Sequence, residues 1–197
     1  MNYLAHAWLS FNEPGILAGN LVSDFIKGKA KFDYTGDIFK GIELHRAIDT
    51  FTDTHEATRE AKEVFRPHYR LYAGAFVDVV YDHFLARDED RFSPGGLAAF
   101  SENVYVQLAP YIPQLPGRFR QLFPYMRTQN WLFNYQYRTG IENSFRGMVH
   151  RAAYMEESHT ALAVFDGHYG LLQACYRKFI PEVYLFARGW LDDAGRD

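Results

Sequence analysis

Ala73-Gly74-Ala75-Phe76-Val77-Asp78-Val79-Val80-Tyr81-Asp82-His83-Phe84-Leu85-Ala86, inside the longer stretch Leu71 to Arg87, is a run of residues that favour burial, broken by three that do not. It is too long for a buried strand and shows no alternation of apolar and polar positions, so it reads as a long, mostly buried helix. Helical signals recur on both sides of it. Pro14 and Gly15 introduce Ile16, Leu17, Leu21 and Phe25 at helical spacing, stopping near Gly28. Ile38, Ile42, Ile48 and Phe51 define a second helix from about Asp37 to Thr52, and a short one over His55 to Phe65 is closed by Pro67. Ser93 and Pro94 read as an N-cap and first-turn proline of a helix towards Leu108. Pro110, Pro113, Pro116 and Pro124 predict an irregular stretch. Helices are expected again over Asn130 to Tyr137, Ile141 to Ala153 and Met155 to Phe179, with a short one after Pro181. Strand-and-turn signals are scarce. The chain reads as all-α, a single-domain helical bundle over residues 1–197.

With 48% hydrophobic and 23% charged residues, the chain of 197 residues is neither disordered nor fibrous. Its 21 basic against 24 acidic residues are too balanced to suggest nucleic acid or an anionic membrane as partner. A lone cysteine, Cys175, fits a reducing, cytoplasmic setting. Met1 to Ser10 lacks a basic leader region, and the Leu71–Leu85 stretch carries Asp78, Asp82 and His83, so neither a secretory signal nor a membrane span is expected. The aromatic share of 17% leaves two readings: extra rings in the core, or an apolar groove or partner surface.

Polar residues on apolar helices carry the functional reading. Asp78 and Asp82 share a helix face, and His83 is offset from them by about 100°. Buried carboxylates need a partner or a metal, so an Asp–Arg or Asp–His pair and a metal site both stand. A second row, His45, Asp49 and Asp53, repeats at steps of four, and its imidazole and carboxylate donors suit Mn²⁺, Fe²⁺ or Zn²⁺. Arg46 sits beside that row, where a guanidinium can hold a phosphate. A weaker group, Asn2, His6, Asn20 and Asp24, lies near the N-terminus, with Asp24 as an additional carboxylate ligand. No nucleophile elbow, phosphate-binding Gly-Lys-Ser/Thr loop or dinucleotide fingerprint is present. The residues point to a helical His/Asp metal site.

Four blocks, Met1-Asn2-Tyr3-Leu4-Ala5-His6, Gly19-Asn20-Leu21-Val22-Ser23-Asp24-Phe25, Gly41 to Asp49 and Asp78 to Arg87, resemble in order and spacing the acyl carrier protein phosphodiesterase family. The resemblance implies an HD-phosphohydrolase-like helical fold and removal of the 4′-phosphopantetheine arm from the serine of holo-acyl carrier protein. It also implies Mn²⁺ as the preferred metal, with Fe²⁺, Mg²⁺ or Zn²⁺ as the other candidates. On this reading Asp24, His45, Asp49, Asp82 and His83 are the expected ligands of one or two ions. Asp78 or Asp53 orients ligands or accepts a proton, and Arg46 steadies the non-bridging oxygens. Two alternatives remain: an HD-type phosphohydrolase acting on a nucleotide or other small phosphoester, and a non-catalytic module that binds acyl carrier protein. Residues 111–151 hold six arginines against one acid, so Arg118, Arg120 and Arg127, interleaved with Tyr125, Trp131, Tyr135 and Tyr137, are the expected docking surface for an acidic carrier protein.

Overall fold

The structure, a computed structural model, describes residues 1–151 and 159–195, and among them it holds eleven α-helices and no strand. At its centre is α5 (Ala73–Ala86), in which Phe76, Val77, Val79, Val80, Tyr81, Phe84 and Leu85 are all buried. A helix apolar on every side is stable only when other helices surround it, and α5 touches α1 (Tyr3–Trp8), α4 (Glu56–Tyr69), α9 (Arg138–Arg151) and α11 (Tyr169–Ala194). Part of the aromatic content lies here: Phe65, Phe76 and Phe145 pack together, and Tyr81 stacks on Phe179 at 5.0 Å.

Beside this core, α2 (Pro14–Val22) crosses α3 (Gly36–Thr54) at very short range. A Cβ on Gly19 would stand 2.0 Å from the Ile38 carbonyl oxygen, and one on Gly41 would stand 2.2 Å from that of Ile16. Glycine on each helix therefore lets the two backbones touch, and this contact fixes Asn20 against His45.

Prolines behave differently from the sequence expectation in three places. Pro67 does not close α4, which runs on to Tyr69 with Ala57, Ala61, Phe65 and Tyr69 lining its buried face. Pro181 lies inside α11, where Tyr176, Phe179, Ile180, Val183 and Ala187 continue one buried stripe across it. The stretch expected to be irregular contains α7 (Gly117–Thr128), with Pro116 at its N-cap, Pro124 inside it, and Phe119, Phe123 and Met126 buried at helical spacing. In each case the packed face offsets the single hydrogen bond that proline removes. Ser93-Pro94 does not cap α6 (Gly96–Leu108): the Gly96 amide donates to the Ser93 carbonyl at 2.7 Å, and Gly95 takes φ 79°. Pro-Gly at the centre of a type II turn explains that geometry.

The helix expected from Asn130 to Tyr137 shortens to α8 (Trp131–Asn134). The one expected up to Phe179 divides at His168 into α10 (His159–Gly167) and α11. The expected helix boundaries at Ala153 and Met155 lie outside the described residues. No helix among the described residues is long and apolar enough to cross a membrane.

Candidate metal centre

Two imidazoles meet where α1, α2 and α3 converge. The His6 and His45 rings stack with centroids 3.9 Å apart and planes within 15° of parallel. Asn20 on α2 orients both. Its side-chain nitrogen donates to the His6 carbonyl (2.9 Å) and to Ser10 Oγ (3.0 Å), which leaves its Oδ1 to accept from His6 Nδ1 at 2.8 Å. Its backbone carbonyl accepts from His45 Nδ1 at 2.6 Å. With both Nδ1 atoms acting as donors, each neutral ring presents its Nε2 lone pair outward.

Those lone pairs face carboxylates. His6 Nε2 lies 3.3 Å from Asp49 Oδ1, while His45 Nε2 lies 3.1 Å from Asp49 Oδ2 and 3.4 Å from Asp24 Oδ1. Lone pair against carboxylate repels unless a proton or a cation sits between them. Both Nε2 atoms are buried without a hydrogen-bond partner in good geometry. Ligand atoms of His6, His45 and Asp49 fall within 4.8 Å of one another, a nitrogen and oxygen donor set that fits a borderline divalent cation. Asp24, whose side chain is 81% exposed, stands at the solvent side of this group.

Without a metal, a proton takes part of that role. Burial opposes a charge on His45, but the Asp24 and Asp49 carboxylates beside its Nε2 outweigh burial and push its pKa up to about 9. Burial and the neighbouring His45 charge push His6 down to about 4. Burial works against ionised Asp49, yet His45 and His6 hold its carboxyl well below the usual carboxylate range. A raised histidine pKa stabilises the fold fully below its unfolded value of 6.5, and that stability is lost as pH rises through about 9. From His45 alone, metal-free protein is therefore expected to lose on the order of 3 kcal/mol between pH 6.5 and alkaline pH, as read by denaturant unfolding. His45→Gln should reduce that slope to the part carried by the buried Met1 ammonium, whose pKa is itself raised to about 10, and equal unfolding free energies for the parent at both pH values would contradict this charge arrangement.

A further cation completes the cluster from an unexpected source. The N-terminal ammonium of Met1 is fully buried, 3.0 Å from Asp78 and 3.5 Å from Asp49. Burial disfavours its charge, but Asp78 and Asp49 together outweigh this and raise its pKa to about 10. Nothing in a residue pattern marks a chain end as a site group.

The structure separates several residues that the sequence grouped. Asp82 is fully buried, but its Oδ2 accepts from the Leu4 amide at 2.7 Å and its Oδ1 from Ala5 at 3.1 Å. It thus caps α1, the helix that carries His6, and is not among the residues gathered around Asp49. Burial pushes its carboxyl up to about 7 against those two amides. His83, also expected as a ligand, points elsewhere: its Nδ1 donates to the Tyr135 carbonyl at 2.7 Å, and its ring meets Phe165 and Tyr169 edge-on. One step round a helix is about 100°, enough to send it to a different neighbour. Asp78 holds the ammonium. Asp53 pairs with Lys62 at 2.7 Å, outside the cluster. Arg46 pairs with Glu43 at 3.2 Å and lines an open groove with Thr50, Phe51, Phe186 and Trp190. Asn2 is the N-cap residue of α1 but makes no side-chain cap bond. His6, only a weak candidate by sequence, is central. Its flanks Leu4, Ala5 and Ala7 are all buried, and that apolar setting was the available signal.

On the surface expected to dock a partner, Arg118 and Arg120 of α7 are exposed, Arg120 reaching the Pro113 carbonyl at 3.4 Å, while Arg127 lies 3.9 Å from Glu102. Tyr125 and Tyr137 are exposed, but Tyr135 is buried and belongs to the core, a correction to the interleaved surface.

Fold and site together define an all-helical protein in which two buried histidines and the part-exposed Asp49 form a donor cluster suited to a divalent metal. A family profile described as acyl carrier protein phosphodiesterase matches residues 1–183. The chain belongs to that family. It is 35% identical over 184 residues to the acyl carrier protein phosphodiesterase of Salmonella agona, covering 93% of this chain and 95% of the relative. It is likewise 35% identical over 188 residues to that of Klebsiella pneumoniae, covering 95% and 97%. No solved structure matches the chain.

Proposed function

We propose that this protein is a metal-dependent phosphodiesterase that hydrolyses the 4′-phosphopantetheine arm from the serine of holo-acyl carrier protein, acting in the cytoplasm. The observation that carries the metal part is the pair of buried Nε2 lone pairs aimed at Asp49. The substrate part rests on membership of the family and on relatives of nearly equal length that bear that name.

A divalent ion bound there, Mn²⁺ for preference, would supply a lowered pKa for water and neutralisation of charge on the phosphodiester. His6, His45 and Asp49 would hold it, and Asn20 fixes both imidazole tautomers so that Nε2 is the free donor atom. Asp24, exposed beside His45, is placed either to complete the donor set or to take a proton from water entering from solvent. Asp78 and the Met1 ammonium hold Asp49 in place from the protein side. Asp82 acts at one remove, by capping the helix that carries His6.

The test is product analysis: parent enzyme with Mn²⁺ and holo-carrier protein should release 4′-phosphopantetheine and leave apo-carrier protein. Turnover of nucleotides or small phosphoesters without arm release would overturn the substrate assignment, and binding of carrier protein with no turnover of any phosphoester would make the chain a binding module. The arginines of α7 give a separate expectation. Charge reversal at Arg118 and Arg120 should raise KM for carrier protein and weaken its salt dependence while sparing a small phosphodiester, because exposed charges steer encounter and are screened beyond about 8 Å near 0.15 M salt. A KM indifferent to salt and to both reversals would remove α7 from the docking surface.

A further inference from the structure

The segment after α2 leads directly from the site to the surface. Asp24 stands beside His45, and within the next eight residues come Lys27, Lys29, Lys31 and Phe32, with no acid between Lys27 and Phe32. Gly28, at φ 55°, and Gly36, at φ 57°, bracket this loop in backbone conformations that other residues rarely adopt. Lys31 is held down: it pairs with both oxygens of Glu43 at 3.0 and 3.1 Å and lies over the rings of Phe32 and Phe39. Lys27 and Lys29 are exposed and meet no carboxylate among the described residues. Phe32 stacks on Phe39 and keeps 64% of its surface exposed, so its ring is available to a partner.

The loop also adjoins the arginine helix. Phe25 packs edge-on against Phe119 at 5.6 Å. The loop that carries Lys27, Lys29 and Phe32 thus leaves Asp24 through a residue packed on the arginine helix.

We propose that Lys27, Lys29 and Phe32 form a docking ledge for a carboxylate-rich protein surface flanking the phosphodiester-bearing serine of the substrate. The two free ammonium groups meet carboxylates of the partner, and the exposed ring supplies the apolar anchor between them. This rests on the reading that a carrier protein is the substrate. With Lys31 held by Glu43, the exposed charge of Lys27 and Lys29 is what matches an acidic protein surface.

The test uses the full chain carrying Lys27→Glu with Lys29→Glu, and separately Phe32→Ser, with three readouts: KM for holo-carrier protein, Kd for apo-carrier protein by titration, and turnover of bis(4-nitrophenyl) phosphate. The lysine reversal should raise KM and Kd by about tenfold at low salt and flatten their salt dependence, with kcat and small-diester turnover unchanged. Phe32→Ser should raise both constants with the salt dependence retained. Both changes are at exposed positions, so melting temperatures should match the parent. KM and Kd within twofold of the parent for both variants would overturn the ledge, as would a parent that binds no carrier protein. A parent that binds carrier protein through these residues but releases no arm overturns the proposed reaction and leaves the ledge standing.

Discussion

Substitution of Asp49 by asparagine is expected to abolish Mn²⁺ binding and to lower kcat/KM for carrier protein by more than about 100-fold, the upper end of what outer ligand-orienting residues contribute. Asp49 is the group that faces both imidazoles, one oxygen towards each Nε2, and it also meets the Met1 ammonium. Asparagine keeps its shape and removes its charge, so two ring nitrogens and an ammonium lose their common anion. Isothermal titration with Mn²⁺ and steady-state kinetics read the two effects separately, and circular dichroism checks that the helices persist. Parent-like Mn²⁺ affinity in Asp49→Asn would show that the donor cluster is a structural polar network and not a metal centre. The same titration on His83→Ala should leave Mn²⁺ affinity intact, since His83 is engaged with Tyr135.

The second large effect concerns the helix crossing beneath the site. Gly41→Ala places a methyl group 2.2 Å from the Ile16 carbonyl oxygen and 2.9 Å from the Asn20 amide nitrogen. Neither obstacle is the flexible end of a side chain, so the helices must separate. Overpacking of this kind costs about 3 kcal/mol, which overrides the roughly 1 kcal/mol that alanine gains over glycine within a helix. Separation also lengthens the 2.6 Å bond between His45 and the Asn20 carbonyl, so metal affinity should fall together with the unfolding midpoint. Gly189→Ala is the control: it lies in the same class of helical setting with nothing within 4 Å of a new Cβ. Equal stabilities for the Gly41 and Gly189 variants would contradict the close crossing.

Local patterns were legible in the sequence, and contacts across the chain were not. The burial of α5 follows from Phe76 to Leu85 directly, because an apolar run with helical length has nowhere else to go. The His45–Asp49 pair was legible because a step of four along one helix fixes their distance without tertiary knowledge. Asp82 shows the opposite case. Its burial was apparent from its neighbours, but its partners are backbone amides 77 and 78 residues away, and a carboxylate capping another helix carries the same local signature as a ligand. His83 was grouped with Asp82 through adjacency, although adjacent helical residues diverge. Proline was given too much weight at Pro67, Pro124 and Pro181, where a continuous buried stripe outweighed one missing hydrogen bond. The Met1 ammonium and the Gly19–Gly41 contact exist only once the helices are assembled.

The most direct measurement is the mass of the carrier protein after incubation with exhaustively chelated enzyme, with and without added Mn²⁺, for the parent and for His45→Ala. Arm release by the parent only when Mn²⁺ is present, and by His45→Ala under neither condition, is the predicted result. Release by the chelated parent at the same rate as by the Mn²⁺-loaded parent, or undiminished release by His45→Ala, would contradict a metal-dependent phosphodiesterase centred on His6, His45 and Asp49.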